Sequence, residues 1–231
     1  MPADTTITVI VTARNEADRL PATLAALADA FPGARVVVAD DGSADGSAQV
    51  ARQAGAEVVG GSSPVGKGGA ATLGGQRALK GGGAGVFVLC DGDLGDSARH
   101  LPLLAEAVWG GDCDLAVAVF AARVGGGVGL AVGFARWAVQ RLCGLRLDAP
   151  ISGQRALSGE ALRTVLPFAP RFGMEIAMTV DATRAGLRVR EVQLPLTHRA
   201  TGRSLRGFLH RGRQLRDFAW VYLDRRSSGR A

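Results

Sequence analysis

The sequence predicts an α/β fold with a mostly parallel central sheet flanked by helices. Two observations predict it. Short apolar runs alternate with helical patterns through the first 120 residues, and that alternation makes parallel strands joined by right-handed crossovers. Polar clusters then follow three of those runs, at residues 12–16, 40–43 and 91–96. In open α/β sheets ligands sit beyond the carboxyl ends of the strands.

Each element has its own signal. ITVIVT at 7–12 is β-branched and apolar, a buried strand. Leu20, Leu24, Leu27 and Phe31 recur at helical spacing and predict a helix over 16–31, stopped by Pro32-Gly33. RVVVA at 35–39 predicts a second buried strand. Asp45 is placed to cap a helix running to Gly55. Residues 57–59 predict a third strand; a glycine-rich loop and a helix over 70–79 follow. VFVLC at 86–90 predicts the fourth strand, 101–109 a helix and 115–120 the fifth strand. Beyond these, 128–142 predicts a helix interrupted by Arg136 and Arg141. Ser158 caps a short helix to 166, 174–185 is a helix ended by Gly186, and 187–194 alternates like a half-exposed strand. Over 204–223, Leu205, Phe208, Leu209, Leu215, Ala219, Tyr222 and Leu223 share one face of an amphipathic helix.

A chain of 231 residues, 47% hydrophobic, supports one core and one domain, 1–231. The formal charge is +6, carried almost wholly by arginine, with Lys67 and Lys80 the only lysines. Cys90, Cys113 and Cys143 show neither metal-ligand spacing nor a disulfide framework, which fits a reducing cytoplasm. The start lacks signal-peptide character and no stretch has the apolar length of a membrane span. One tyrosine, eight phenylalanines and no basic–aromatic interleaving argue against nucleic acid as a partner.

Three motifs carry chemistry. In DGDLGDS, Asp91 and Asp93 stand at i and i+2 just past an apolar strand. Paired hard oxygens there suit Mg or Mn and leave room for substrate phosphates. An EF-hand fails, because Gly95 and Asp96 are exchanged relative to that loop. GSSPVGKG at 61–68 matches G-x-x-x-x-G-K, but Gly68 replaces the metal-binding Ser/Thr. What remains is a glycine-rich turn whose Lys67 approaches a phosphate. Asp40-Asp41-Gly42-Ser43 reads equally as a turn with a cap or as an acceptor for ribose hydroxyls and base N–H groups.

VTARNE, VVVADDGSADGS, GKGGAATLGG and VLCDGDLGD, in this order and spacing, resemble the nucleotide-sugar half of family 2 glycosyltransferases. FAARVGGG, DAPISGQRALSG and EVQLPLTHRATGRS resemble the branch that includes dolichyl-phosphate mannosyltransferase and bacterial polyprenyl-phosphate glycosyltransferases. The likeness spans residues 7–210. It implies the GT-A fold, with 1–120 as the nucleotide-sugar-binding half and 121–231 as the acceptor-binding half. It also implies inverting transfer from a nucleoside-diphosphate sugar, Mg or Mn at a DXD motif, and a polyprenyl phosphate among the acceptors, in cell-envelope glycan synthesis.

By position, the resemblance places Thr12, Ala13, Arg14 and Glu16 along the nucleobase and ribose, and Asp41 on the base. Lys67 joins the nucleotide-sugar site, and Asp91 and Asp93 hold metal and diphosphate, with Asp93 catalytic. Arg199 lies near the diphosphate, and Arg123 and Arg136 take the acceptor phosphate. If the acceptor is a hydroxyl, Glu175 is the candidate base. The chain departs from the family at Thr12 and Arg14, where Pro and Tyr are usual, at Gly95, often Gln, and at Leu205, where Lys is usual and Arg206 follows.

Two alternatives compete. A nucleotidyltransferase needs a glycine-rich first loop, and TARNE is poor in glycine. A catalytically silent nucleotide-binding protein has no need of Asp91 and Asp93. Arg203, Arg206, Arg211, Arg213 and Arg216 on the last helix suit peripheral contact with anionic lipid at the inner membrane face, or a terminal helix packed on its own domain.

Overall fold

The computed structural model describes residues 6–82, 85–120, 130–195 and 205–228, with side chains of the last helix from 215 to 227. Among them run β1 (Ile7–Ala13), α1 (Leu20–Ala30), β2 (Arg35–Asp40), α2 (Ser47–Gln53), β3 (Glu57–Gly60), α3 (Lys67–Leu79) and β4 (Val86–Asp91). Then come α4 (Pro102–Trp109), β5 (Leu115–Phe120), α5 (Leu130–Cys143), β6 (Arg155–Ser158), α6 (Gly159–Val165), α7 (Met174–Arg184), β7 (Val189–Leu194) and α8 (Leu205–Ser228).

The seven strands form one sheet in the order β3-β2-β1-β4-β6-β5-β7. β1, β2, β3 and β4 pair in parallel, as do β5 and β7. β6 is antiparallel to both its neighbours, β4 and β5. The fifth strand predicted from sequence therefore does not lie beside the fourth. β6, which the sequence reading missed, is wedged between them.

Period-two alternation distributes each strand between two helical layers. Val9, Val11, Val88 and Cys90 join Leu20, Leu24, Leu27, Leu101 and Leu104 in one core, under α1 and α4. Ile10, Phe87 and Leu89 face the other way and join Ala71, Ala78, Leu162 and Met178, under α3, α6 and α7. A third cluster, with Ala135, Val139, Ile176, Val180, Phe218 and Val221, knits α5, α7 and α8 together.

The predicted boundaries shift where local chemistry decides. α1 starts at Leu20 rather than 16, with Pro21 fixing its first turn and the Glu16 carbonyl accepting from Arg19 and Leu20 N–H. α3 starts at Lys67, immediately after the left-handed Gly66. Ser158 caps α6 as expected, accepting from Ala161 N–H at 3.1 Å. On α8 the packing face differs from the predicted one. Phe218 and Val221 are buried, whereas Leu223 is 61% exposed. The helix turns Phe218 and Val221 into the cluster with α5 and α7, while Leu215, Ala219 and Tyr222 are half-buried and the Tyr222 ring packs against Trp137 of α5 at 4.8 Å.

Candidate active site

Parallel register brings the ends of β1, β2 and β4 level. Thr12 is paired with Asp91 and Ala39, and Ala13 with Asp40. The three polar clusters therefore meet along one edge. The first two are also stitched together. Asn15 N–H donates to Ser43 Oγ at 2.9 Å, Ala44 N–H to Asn15 Oδ1 at 2.8 Å, Glu16 N–H to Ser47 Oγ at 2.9 Å and Ala17 N–H to Asp45 Oδ2 at 3.0 Å.

Asp91 is the best-connected carboxylate of the cleft. Oδ1 accepts from Lys67 Nζ at 2.8 Å and Thr12 Oγ1 at 3.2 Å, and Oδ2 from Gln154 Nε2 at 3.0 Å. Lys67 Nζ also reaches Glu175 Oε1 at 2.9 Å. Glu175, in the first turn of α7, is 4% exposed. Burial alone would lower the Lys67 pKa, but Asp91 and Glu175 outweigh it and hold the ammonium charged, above its ordinary value. Burial likewise pushes Asp91 upward, and Lys67 more than reverses it, so Asp91 is an anion with a lowered pKa. One cation thus bridges a carboxylate from the sheet edge and one from a helix more than 80 residues later in the chain.

The sequence marks DAPISGQRALSG as a motif of the resemblance but assigns no role to Gln154 or its neighbours. β6 begins where β4 ends, with Arg155 registered against Leu89, so the preceding loop runs straight across Asp91. Gly153 sits so close that a Cβ there would lie 2.6 Å from Asp91 Oδ2 and 2.7 Å from Lys67 Nζ. Arg155 is fully buried and clamps that loop through the carbonyls of Ser152 and Pro150, each at 2.9 Å, and through Thr179 Oγ1 at 3.0 Å. Burial lowers its pKa to about 10, so it stays charged at neutral pH.

Asp93 is different. Its side chain is 47% exposed, with Arg19 at 4.0 Å. Glu16 lies close by, its pKa raised by burial and then by Asp93. These are hard oxygen donors at the cleft mouth, but the described residues hold no group of three or more His, Cys, Asp or Glu side chains placed to bind a metal, so a Mg- or Mn-class cation there would need water and substrate phosphates for its other ligands. Of the two carboxylates expected to hold metal, Asp93 has the open face, while both Asp91 oxygens already accept internal hydrogen bonds.

Asp41 is buried, and Oδ1 accepts from Val65 and Gly66 N–H, each at 2.7 Å, which anchors the glycine-rich loop. Oδ2 faces Arg14 at 3.6 Å. The turn reading of the DDGS segment has its carrier in Asp40, whose Oδ2 accepts from Ser43 N–H at 3.2 Å, while Asp41 gives one oxygen to the glycine-rich loop and turns the other to Arg14. Arg136 stands on α5 and donates to the Asp148 carbonyl, at 3.2 Å from Nε and 2.5 Å from Nη2. It is not joined to the Asp91 cluster by any of these contacts. Arg123 and Arg199 lie outside the described residues.

Residues 8–133 match the family described as glycosyl transferase family 2. An undecaprenyl-phosphate mannosyltransferase of Micrococcus luteus is 31% identical over 219 residues, 86% of either chain. Among solved structures, glucosyl-3-phosphoglycerate synthase from Mycobacterium tuberculosis, in complex with Mn2+, UDP-glucose and phosphoglyceric acid, superposes with a TM-score of 0.74. It is 28% identical, covering 96% of this chain and 80% of that one. The same enzyme with Mn2+, UDP and glucosyl-3-phosphoglycerate gives a TM-score of 0.73 at 29% identity, with the same coverage. These neighbours identify the architecture as the GT-A fold.

Proposed function

The chain belongs to glycosyl transferase family 2, in its polyprenyl-phosphate branch, and we propose that it moves a sugar, with inversion, from a nucleoside-diphosphate sugar to the phosphate of a polyprenyl phosphate. The observation that carries this reading is the Asp91–Lys67–Glu175 cluster beside the open carboxylate of Asp93. Residues 1–120 hold the donor, with Thr12, Ala13, Arg14, Glu16 and Asp41 along the nucleoside. Residues 121–231 meet the acceptor. Asp91 and Asp93 would hold Mg or Mn, which would supply Lewis-acid stabilisation to the diphosphate leaving group.

An oxygen of the acceptor phosphate forms the new bond to the anomeric carbon. The bond from that carbon to the diphosphate breaks, and the nucleoside diphosphate leaves with the electron pair. The acceptor oxygen is already ionised, so no proton moves. Charge develops on the leaving group, where the Lys67 ammonium, held in place by Asp91 and Glu175, would stabilise it, with Arg199 added by the family resemblance. Arg123 and Arg136 orient the acceptor.

The surroundings of Glu175 favour a phosphate over a hydroxyl nucleophile: its carboxylate is 4% exposed and taken up by the Lys67 ammonium at 2.9 Å, which leaves it little access to an acceptor hydroxyl. For a lipid-borne acceptor, we place the bilayer contact, at the inner membrane face, on the exposed sides of α5 and α8. Trp137 is 49% exposed there, 4.8 Å from the Tyr222 ring, and Trp220 is 51% exposed. Trp beside Arg is the composition of an interfacial helix. No helix among the described residues is long and apolar enough to cross a membrane.

The test is a transfer assay with a panel of labelled nucleotide sugars and Mn2+, offering a polyprenyl phosphate, phosphoglyceric acid and a plain sugar hydroxyl. Product on the polyprenyl phosphate alone supports the reading. Product only on an unphosphorylated hydroxyl overturns it and makes Glu175 the base.

A further inference from the structure

Among the described residues two non-glycine positions have a positive φ, Asn15 at 54° and Arg171 at 56°. Asparagine tolerates the left-handed region, because its short amide bonds locally. Asn15 sits there with its side-chain amide satisfied by the neighbouring segment, accepting from Ala44 N–H at 2.8 Å. Arginine has no such compensation, and a long side chain held there marks strain that the surroundings enforce.

Those surroundings are the donor cleft. Arg171 opens a 3₁₀ turn, Arg171–Gly173, directly before α7 and four residues before Glu175. This turn is pressed against the loop that carries Lys67. A Cβ on Gly66 would lie 3.2 Å from Arg171 Cγ. One on Gly68 would lie 1.9 Å from the Ala169 carbonyl oxygen and 3.2 Å from Arg171 N. The turn is thus a wall of the cleft, packed backbone to backbone on the Lys67 loop.

The side chain itself is loosely held. It is 62% exposed, and its ion contact, to Asp217 Oδ1, is 3.9 Å long. Arg216 approaches the same carboxylate at 3.6 Å. Among the described residues, the other cations facing the cleft have closer carboxylate partners: Lys67 with Asp91 and Glu175 at 2.8 and 2.9 Å, Arg19 with Glu16 at 3.1 Å and Arg14 with Asp41 at 3.6 Å. A glycine would take this backbone conformation without steric cost. The chain instead places a guanidinium there.

We propose that Arg171 is a phosphate-binding residue on the rim of the cleft, kept in a strained backbone conformation so that its guanidinium meets a phosphoryl group of the donor or of the acceptor. The inference rests on the glycosyl-transfer reading of the cleft. A planar guanidinium binds phosphate through two parallel hydrogen bonds, which lysine cannot copy.

Arg171→Gly separates strain from function. Its melting temperature should rise by about 2–4 °C, the shift that roughly 1 kcal/mol gives a domain of this size, whereas Arg171→Ala should not gain. Both should lose tenfold or more in affinity for one phosphorylated ligand, with Arg171→Lys in between. Calorimetry would use UDP with Mn2+ and, with UDP present, phosphoglyceric acid or a short-chain polyprenyl phosphate. The arm that weakens tells donor phosphate from acceptor phosphate.

Three results would overturn the proposal: unchanged affinity in every arm, no melting gain for Arg171→Gly, or the same losses from Asp217→Asn, which would make Arg171 a partner of that carboxylate only. Wild-type protein that binds none of these phosphates overturns it too. Because the binding arms need no turnover, a wild-type protein that binds them but transfers no sugar defeats the proposed function and leaves Arg171 standing.

Discussion

Replacing Lys67 by methionine removes the cation that faces both Asp91 and Glu175. Glu175 is 4% exposed, and the Asp91 and Lys67 side chains are 27% and 22% exposed. Breaking a fully buried pair from one side costs about 3–5 kcal/mol, so partial access of water to two of the three groups brings the expected loss to about 2–3 kcal/mol. In a chain of 231 residues that corresponds to a melting temperature lower by roughly 4–12 °C at pH 7.

The loss should depend on pH, and its sign follows from linkage. In the wild type the Asp91 pKa is depressed, so its contribution is complete above the ordinary carboxylate value of about 3.9 and fades only as pH falls through the lower folded value. In Lys67→Met two carboxylates confront one another without a cation, and one of them keeps its proton to higher pH. A raised carboxylate destabilises the fold above its unfolded pKa, and that penalty recedes as pH falls. The gap between variant and wild type should be widest at pH 7–8 and narrow toward pH 5. Calorimetric melts at four pH values check it. A gap that stays constant from pH 5 to 8, or no gap, refutes the electrostatic account of the cluster.

Other outcomes are open to direct measurement. Asp93→Asn should melt like the wild type, since its side chain is half exposed, while turnover falls by about a hundredfold, the scale of losing one strong electrostatic contributor. Gly153→Ala pushes a methyl group to within 2.6 Å of Asp91 Oδ2. It should lower transfer at least about tenfold, because misplacing groups by an ångström is costly in a preorganised site; steady-state kinetics that match the wild type would show that the loop simply shifts. Asp41→Ala strands the Val65 and Gly66 amides and should weaken nucleoside-diphosphate binding by about 1–3 kcal/mol. Unchanged affinity by calorimetry would reduce Asp41 to a loop anchor.

The strands that carry the donor cleft were legible because each is a fully apolar run with a polar stop. ITVIVT, RVVVA and VFVLC needed only period and punctuation. The convergence of their ends followed from strand order. β6 was not legible. RALS is four residues long, begins with a buried arginine, and is a strand because β4 and β5 flank it. Gln154, Gly153 and Arg155 stayed hidden with it. Their sequence signal was membership in DAPISGQRALSG, which marks the family branch without saying what Gly153, Gln154 or Arg155 touches. The Lys67–Glu175 contact joins residues far apart in sequence, and no local pattern announces it. α8 shows the limit of wheel-based reasoning, since an amphipathic pattern leaves the packing side to whichever neighbour arrives.

The central claim, a nucleoside-diphosphate site built on Asp91 and Asp93 at the ends of β1, β2 and β4, is tested most directly by thermal shift. Wild type and Asp93→Asn would be melted with each common nucleoside diphosphate, with and without Mn2+. The account predicts that one nucleotide raises the wild-type melting temperature, more so with Mn2+, and that the metal increment disappears in Asp93→Asn. No nucleotide raising the wild-type melting temperature under any condition, or an equal Mn2+ increment in both proteins, would contradict it.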